Sequence, residues 1–321
     1  MDLNQMLEKC HRDQWRVGDL DWSRTPRAMS RDDEMAVVQY FTDMAGIERL
    51  AGALFDEQRK RVDDPVLREI FETFVVDELR HAHAAQMLAD FYDVHRYKIY
   101  QLNESLVRFT PAFVDAIRYL SPGIANAYIT TGELLLDIAL LRSLDDFVDD
   151  DMSHEAMELI NRDESRHIAI DYHMTGYYSS DEYLARAAAE PAQSYAEQAR
   201  AYQAFALVLY HAAPFFKAVF FEPMDLVDPS GRRLLEAFKR VQLLGQKDEV
   251  ARLPFPRFMQ TVSDLYNHPI TGTAFGPVLQ RIIGTDPRVI VKLFNESEAR
   301  WARQASFSEM AEEALEQKYV N

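Results

Sequence analysis

Asp77-Glu78-Leu79-Arg80-His81 and Asp163-Glu164-Ser165-Arg166-His167 are two versions of one pentapeptide, and their surroundings decide how the chain is read. Each holds a Glu-x-x-His. In a helix, residues i and i+3 leave the same side, so each motif offers one carboxylate and one imidazole to a single point. A lone glutamate precedes each motif at nearly the same interval: Glu48 lies 30 positions before Glu78, and Glu133 lies 31 before Glu164. Each of these acids sits in an apolar stripe with helical spacing. The stripes are Phe41, Met44, Glu48, Ala51, Phe55; then Phe71, Phe74, Glu78, His81, Ala85, Leu88; then Ala125, Ile129, Glu133, Leu136, Leu140; and Met157, Ile160, Glu164, His167, Asp171, Met174.

Start and stop signals bound four helices. Ser30 caps the first, with Asp32, Asp33 and Glu34 in its opening turn, and it runs to about residue 61. Asp64-Pro65 opens the second, which ends near Tyr92; proline suits a first-turn position. The third follows Ser121-Pro122-Gly123 and reaches about Val148, and the fourth follows the turn at 149–153 and reaches about Tyr177. Folding each pair at its turn brings its two glutamates to the same depth, roughly 22 Å from the turn at 1.5 Å per residue. A shift of 85 residues relates the lone glutamates, and 86 relates the motifs, so the ligand positions form a two-fold repeat. The expected fold class is all-α: a ferritin-like four-helix bundle over 31–178, an irregular N-terminal strap over 1–30 pinned by Trp15, Leu20 and Trp22, and additional C-terminal helices over 179–321. Those later helices are expected at about 195–221, 230–247, 255–267, 272–284 and 286–318, and a short helix is expected after Pro111.

Composition sets the frame. With 48% hydrophobic residues among 321, the chain can bury a sizeable core. A net charge of −17 disfavours nucleic acid and anionic membrane surfaces as partners. The single cysteine, Cys10, leaves no internal disulfide and reads as an incidental thiol near a mobile end. The opening MDLNQMLEKCHRDQWR has no apolar signal core, so a cytoplasmic location is expected. Phe205 to Phe221 is the most membrane-like stretch, but His211, Pro214 and Lys217 interrupt it, and a buried core helix is expected, with His211 as a satisfied core histidine. His83 points away from His81, and His11, His95, His154, His173 and His268 have no partner spacing.

Four carboxylates and two imidazoles on four helices can hold two metal ions with bridging carboxylates. Oxygen ligands and neutral imidazole suit iron or manganese, and no thiolate is present to select zinc or a cluster. The expected metal-binding and catalytic residues are therefore Glu48, Glu78, His81, Glu133, Glu164 and His167. Metal-bound histidines donate their other N–H to a carboxylate, a carbonyl or water. On that ground Asp77 is expected to support His167, and Asp163 to support His81, with Arg80 and Arg166 balancing the aspartates. Asp137 and Asp171, one turn beyond Glu133 and His167, are candidate supporting groups or the lining of a water-filled pocket.

Over about residues 31–178 this pattern resembles the ferritin-like di-iron carboxylate superfamily. The resemblance rests on Glu48, Asp77-Glu78-x-Arg80-His81, Glu133 and Asp163-Glu164-x-Arg166-His167. It implies two iron ions, or a mixed manganese and iron pair, held by the six residues, and reaction of the reduced centre with dioxygen. Nearest in type are arylamine N-oxygenases, acyl-carrier-protein desaturases and R2-like ligand-binding oxidases. Ala85 and Glu48 stand where ribonucleotide reductase subunits carry tyrosine and usually aspartate. Tyr128 suits the valine–tyrosine crosslink of the ligand-binding oxidases, but Leu50 takes the valine's place. Ile160 replaces the extra histidine of the N-oxygenases, and the rubredoxin-like cysteines of rubrerythrin are absent.

The leading expectation is an oxygenase or oxidase that hydroxylates, desaturates or N-oxygenates an organic substrate, small or carrier-bound. A separate reductase or ferredoxin would supply electrons, since no flavin or nicotinamide motif is visible. The alternative is a ferroxidase or iron-handling protein without organic substrate. A homodimer is expected, because most soluble oligomers are symmetric dimers.

Overall fold

Ser30, Asp64 and Asp150 each place a side-chain oxygen on the orphan amides of the helix that follows, and these caps set the frame of the molecule. The computed structural model describes residues 1–191, 193–283 and 290–317. In chain order the helices are α1 (Leu3–Arg12), α2 (Arg31–Arg59), α3 (Pro65–Tyr92), α4 (Glu104–Tyr119), α5 (Pro122–Val148), α6 (Asp151–Ser179) and α7 (Asp181–Ala189). Then come α8 (Tyr195–Asp225), α9 (Arg232–Leu244), α10 (Asp248–Ala251), α11 (Pro254–Asn267), α12 (Pro269–Ile283), α13 (Glu296–Gln304) and α14 (Phe307–Glu316). The protein is all-α, with no strand among the described residues.

α2 packs along α3 and α5 along α6, and the pairs meet through α2 with α5 and α3 with α6. Their facing stripes are buried, with Phe41, Phe55, Phe71, Phe74, Leu88, Met157 and Ile160 inside. α4 lies between α2 and α8, α9 covers α5, α14 covers α6, and α1 packs on α3 and α6. α2 and α3 come close at Gly52: a Cβ there would sit 3.2 Å from Cβ of Glu78. A side chain at 52, one turn beyond Glu48, would push Glu78 aside.

Two helices widen into π turns. In α5 the turn spans Leu136–Leu141, directly after Glu133, and such bulges are frequent at functional sites. In α8 it spans Phe216–Phe221, just before Pro223, which has no N–H to return to the carbonyl of Val219.

Several expectations need correction. The strap is helical over Leu3–Arg12, and Cys10 is fully buried rather than loosely held. Pro111 does not start a short helix. It lies inside α4, whose Leu106, Phe109, Phe113 and Ile117 all face inward, so packing outweighs the one lost backbone bond. The single helix expected at 286–318 is two among the described residues, because Asn295 with Glu298 and Ser306 with Glu309 form capping boxes that start α13 and α14 afresh; 284–289 and 318 lie outside the described residues. α5 and α8 are long and apolar enough to cross a membrane by length and composition. The apolar window of α5 is 72% buried inside the protein, but that of α8 only 39%, with Tyr202 and Tyr210 exposed. So α8 is covered on one side, and His211 is half-buried against Tyr210 rather than a core residue.

Candidate metal centre

α2 contributes Glu48, α3 contributes Glu78 and His81, α5 contributes Glu133, and α6 contributes Glu164 and His167. All six are buried. They form two overlapping groups, Glu48–Glu78–His81–Glu164 and Glu78–Glu133–Glu164–His167, and within each group the donor atoms lie within 4.8 Å of one another. Glu78 and Glu164 belong to both. Either group could hold a metal ion.

Both imidazoles turn the same way. Nδ1 of His81 lies 3.1 Å from Oε1 of Glu164, and Nδ1 of His167 lies 3.1 Å from Oε1 of Glu78 and 2.9 Å from Oε2 of Glu164. The opposite nitrogens face aspartates: His81 Nε2 is 3.1 Å from Asp163 Oδ2, and His167 Nε2 is 3.5 Å from Asp77 Oδ2. Nδ1 of each ring thus faces the carboxylate cluster; Nε2 of His81 is hydrogen-bonded to Asp163, and Nε2 of His167 lies near Asp77 without a hydrogen bond.

Both oxygens of Glu48 and of Glu78, one each of Glu133 and Glu164, and Nδ1 of His81 are buried without a hydrogen-bond partner among the described residues. An unpaired buried polar atom costs about 1–3 kcal/mol, more when charged. Such a set of buried carboxylate and imidazole donors could hold a metal ion. Electrostatics agree. Burial, then the charge of Glu164, pushes Glu48 up to about 7 and Glu133 up to about 8, and raises Glu78 well above the usual range. Burial opposes the ionised form of Glu164 too, but His167 and His81 hold it low. Burial would lower His81, yet Asp163 and Glu164 lift it to about 9.

Outside the cluster lies a dry lattice of charges. Arg166, fully buried, sends Nη2 to Asp77 Oδ2 at 3.0 Å and to Asp163 Oδ1 at 2.8 Å. Nη2 of Arg80 reaches both aspartates, Asp163 at 2.8 Å. Burial raises Asp163, but His81 and the arginines outweigh it and hold it well below the usual carboxylate range. The strap completes the lattice: Trp15 donates Nε1–H to Asp163 Oδ2 at 2.7 Å, and Gln14 donates to Asp77 Oδ1 at 3.1 Å. Pattern reading missed both. The available signal was Trp15 itself, because a buried indole N–H needs an acceptor. Replacing Arg166 with methionine leaves two buried aspartates with half their cations. Loss of one partner of a buried pair costs about 3–5 kcal/mol, so the variant is expected to unfold at clearly lower urea than the parent, measured by circular dichroism.

Phe74 and Phe55 pack on His167, with ring centroids 4.1 and 5.1 Å away, and keep that side dry. Asp137 and Asp171 are buried, Asp137 within the π turn of α5. Burial, then the charge of Glu133, raises Asp171 well above the usual range. Neither is among the residues lining the large cavity beside the cluster. The remaining histidines pair elsewhere or lie apart: His11 with Glu69, His95 with Glu34 and His154 with Asp145, while His83 is exposed.

A cavity of about 1590 Å³ opens beside the cluster, between α2, α4, α5 and α8. Ile47, Leu50, Ala51, Leu54, Phe109, Phe113, Tyr128, Phe205, Val208 and Phe215 line it, and Glu133 is the cluster residue on its wall. No family model matches the chain, and no curated protein matches it.

Proposed function

We propose that the chain is a ferritin-like four-helix bundle, built from α2, α3, α5 and α6, that binds two iron ions and uses dioxygen to oxidise an organic substrate. The observation that carries this reading is the pair of overlapping Glu/His groups joined, at Glu133, to a large apolar cavity. One ion would be held by Glu48 and His81 and the other by Glu133 and His167, with Glu78 and Glu164 shared. Bound there in reduced form, an iron pair would supply the electrons for dioxygen activation. The chain's own residues do the rest. Asp163 and Asp77 would orient His81 and His167, and Arg80 and Arg166 keep those aspartates ionised. Phe55 and Phe74 keep water from His167. An apolar substrate held in the cavity would lie against the Glu133 side of the centre.

The cavity favours an oxygenase or oxidase over an iron-handling protein, because oxidising ferrous iron alone needs no such volume. The reading also entails an organic or carrier-bound substrate, a separate reductase or ferredoxin as electron donor, a cytoplasmic setting and a homodimer. Hydroxylation, desaturation and N-oxygenation all remain within it, as does a manganese and iron pair. The test is metal content after anaerobic ferrous loading, followed by visible absorbance on mixing with oxygen. About two irons per chain, as the ligand set requires, and an oxygen-dependent absorbance change would support the proposal. No stoichiometric metal would sink it. Iron oxidised with no organic compound ever consumed would favour the iron-handling alternative.

A further inference from the structure

The missing side chain at Gly132 has no structural cause in the helix that carries it. Gly132 lies inside α5 next to Glu133, and glycine in a helix interior costs roughly 1 kcal/mol against alanine. Two causes usually justify such a glycine. One is a left-handed backbone, but Gly231 is the glycine with positive φ among the described residues. The other is crowding, as at Gly52. A Cβ built on Gly132 meets nothing within 4 Å. The open space is the cavity itself, whose wall includes Gly132, Glu133 and, one turn earlier on the same face, Tyr128.

We propose that Gly132 sets how far a ligand reaches toward the metal centre, and that the ligand is a large, uncharged, mostly apolar molecule. This rests on the oxygenase reading for its purpose, though the geometry stands without it. The volume, about 1590 Å³, exceeds the roughly 300–1,000 Å³ of ordinary ligand pockets. Most charged groups of the wall away from Glu133 are engaged: Arg61 donates to the carbonyls of Ile117 and Leu120, Arg186 pairs with Asp63, Lys292 pairs with Glu296, and Asp264 accepts from Gln260, while Glu190 is exposed. Arg303 is exposed at the rim. Near Gly132 the polar group on offer is the Tyr128 hydroxyl, buried without a hydrogen-bond partner among the described residues, which suits a neutral oxygen on the ligand. A side chain at 132 would project into the channel beside Glu133 and stop the ligand short.

The test uses the full chain, metal-loaded and metal-stripped, with the neutral fluorophore N-phenyl-1-naphthylamine displaced by straight-chain alcohols from hexanol to hexadecanol. In the parent protein, affinity is expected to rise about fourfold per added methylene until the chain fills the channel, then level off. Gly132→Leu is expected to level off at a shorter alcohol; Gly132→Met, unbranched and a good helix former, reads the same limit if the leucine variant does not fold. Gly132→Ala is expected to raise Tm by a few degrees while keeping metal. An unchanged limit in a folded leucine or methionine variant, or a lower Tm for the alanine variant, overturns the inference. Metal content measured on the same samples separates the two claims. A shortened limit in a protein that takes up no metal supports the channel and overturns the oxygenase reading. An unchanged limit with full metal does the reverse.

Discussion

Glu164→Gln is expected to abolish metal binding, whereas Glu48→Gln and Glu133→Gln are each expected to remove half of it. Glu164 and Glu78 are members of both donor groups, while Glu48 and Glu133 each belong to one. Glutamine keeps the shape but removes the negative charge, so a shared position loses its hold on both ions at once. Metal analysis after ferrous loading and desalting should give about two ions per chain in the parent, about one in Glu48→Gln and Glu133→Gln, and close to none in Glu164→Gln and Glu78→Gln, if the ligand set is dinuclear as proposed. The Glu48 and Glu133 substitutions should act oppositely on the metal-free protein. Each removes a buried carboxylate whose charged form is poorly compensated, so metal-free Glu133→Gln and Glu48→Gln are expected to be more stable than the metal-free parent. Two ions retained by Glu164→Gln would refute the shared arrangement.

The metal-free protein is expected to lose stability as pH rises, and metal is expected to cancel the trend. Glu48 and Glu133 have native values pushed up to about 7 and about 8 from 4.5. Their folded state therefore holds protons that the unfolded state releases, so nothing is lost below about 4.5 and the loss is complete above about 8. His81, lifted to about 9 from 6.5, acts with the same sign: its contribution is present below 6.5 and is lost as pH climbs through about 9. Asp163 and Glu164, held low, act with the opposite sign but only in acid, below their ordinary values of 3.8 and 4.5. Between about pH 5 and 9 the slopes thus add, each group contributing up to about 1.4 kcal/mol per pH unit over its own interval. Scanning calorimetry of the chelated protein should show Tm falling by roughly ten degrees across that range, and a loaded sample should be nearly flat. A chelated protein whose Tm rises steadily with pH would contradict the unpaired cluster.

Much of this centre was legible in the sequence. Glu48, Glu78, Glu133 and Glu164 stand at matched distances from two turns marked by Asp64-Pro65 and by Asp149 and Asp150. A regular helix rises by a constant amount per residue, so equal counting places equal depths. The all-α class followed from stripes whose 3.6-residue period is a property of the chain alone. The aspartate before each motif glutamate could be paired with the opposite histidine, because position on a helix fixes direction. Local signals misled where packing outweighed them: Pro111 forecast a helix start, yet the inward face of α4 carries the helix through it.

What the sequence determined by itself is therefore the helices, the depth of their acidic and imidazole side chains and the donor set those side chains could offer a metal ion, since each depends on residues near one another along the chain. The tertiary structure alone decided that Trp15 and Gln14 reach back to Asp163 and Asp77, that α4 and α8 help wall a cavity whose lining includes Glu133, and that Gly132 faces open space while Gly52 faces a crowded helix. Those features join residues far apart in the chain, and no local period records which helix faces will meet.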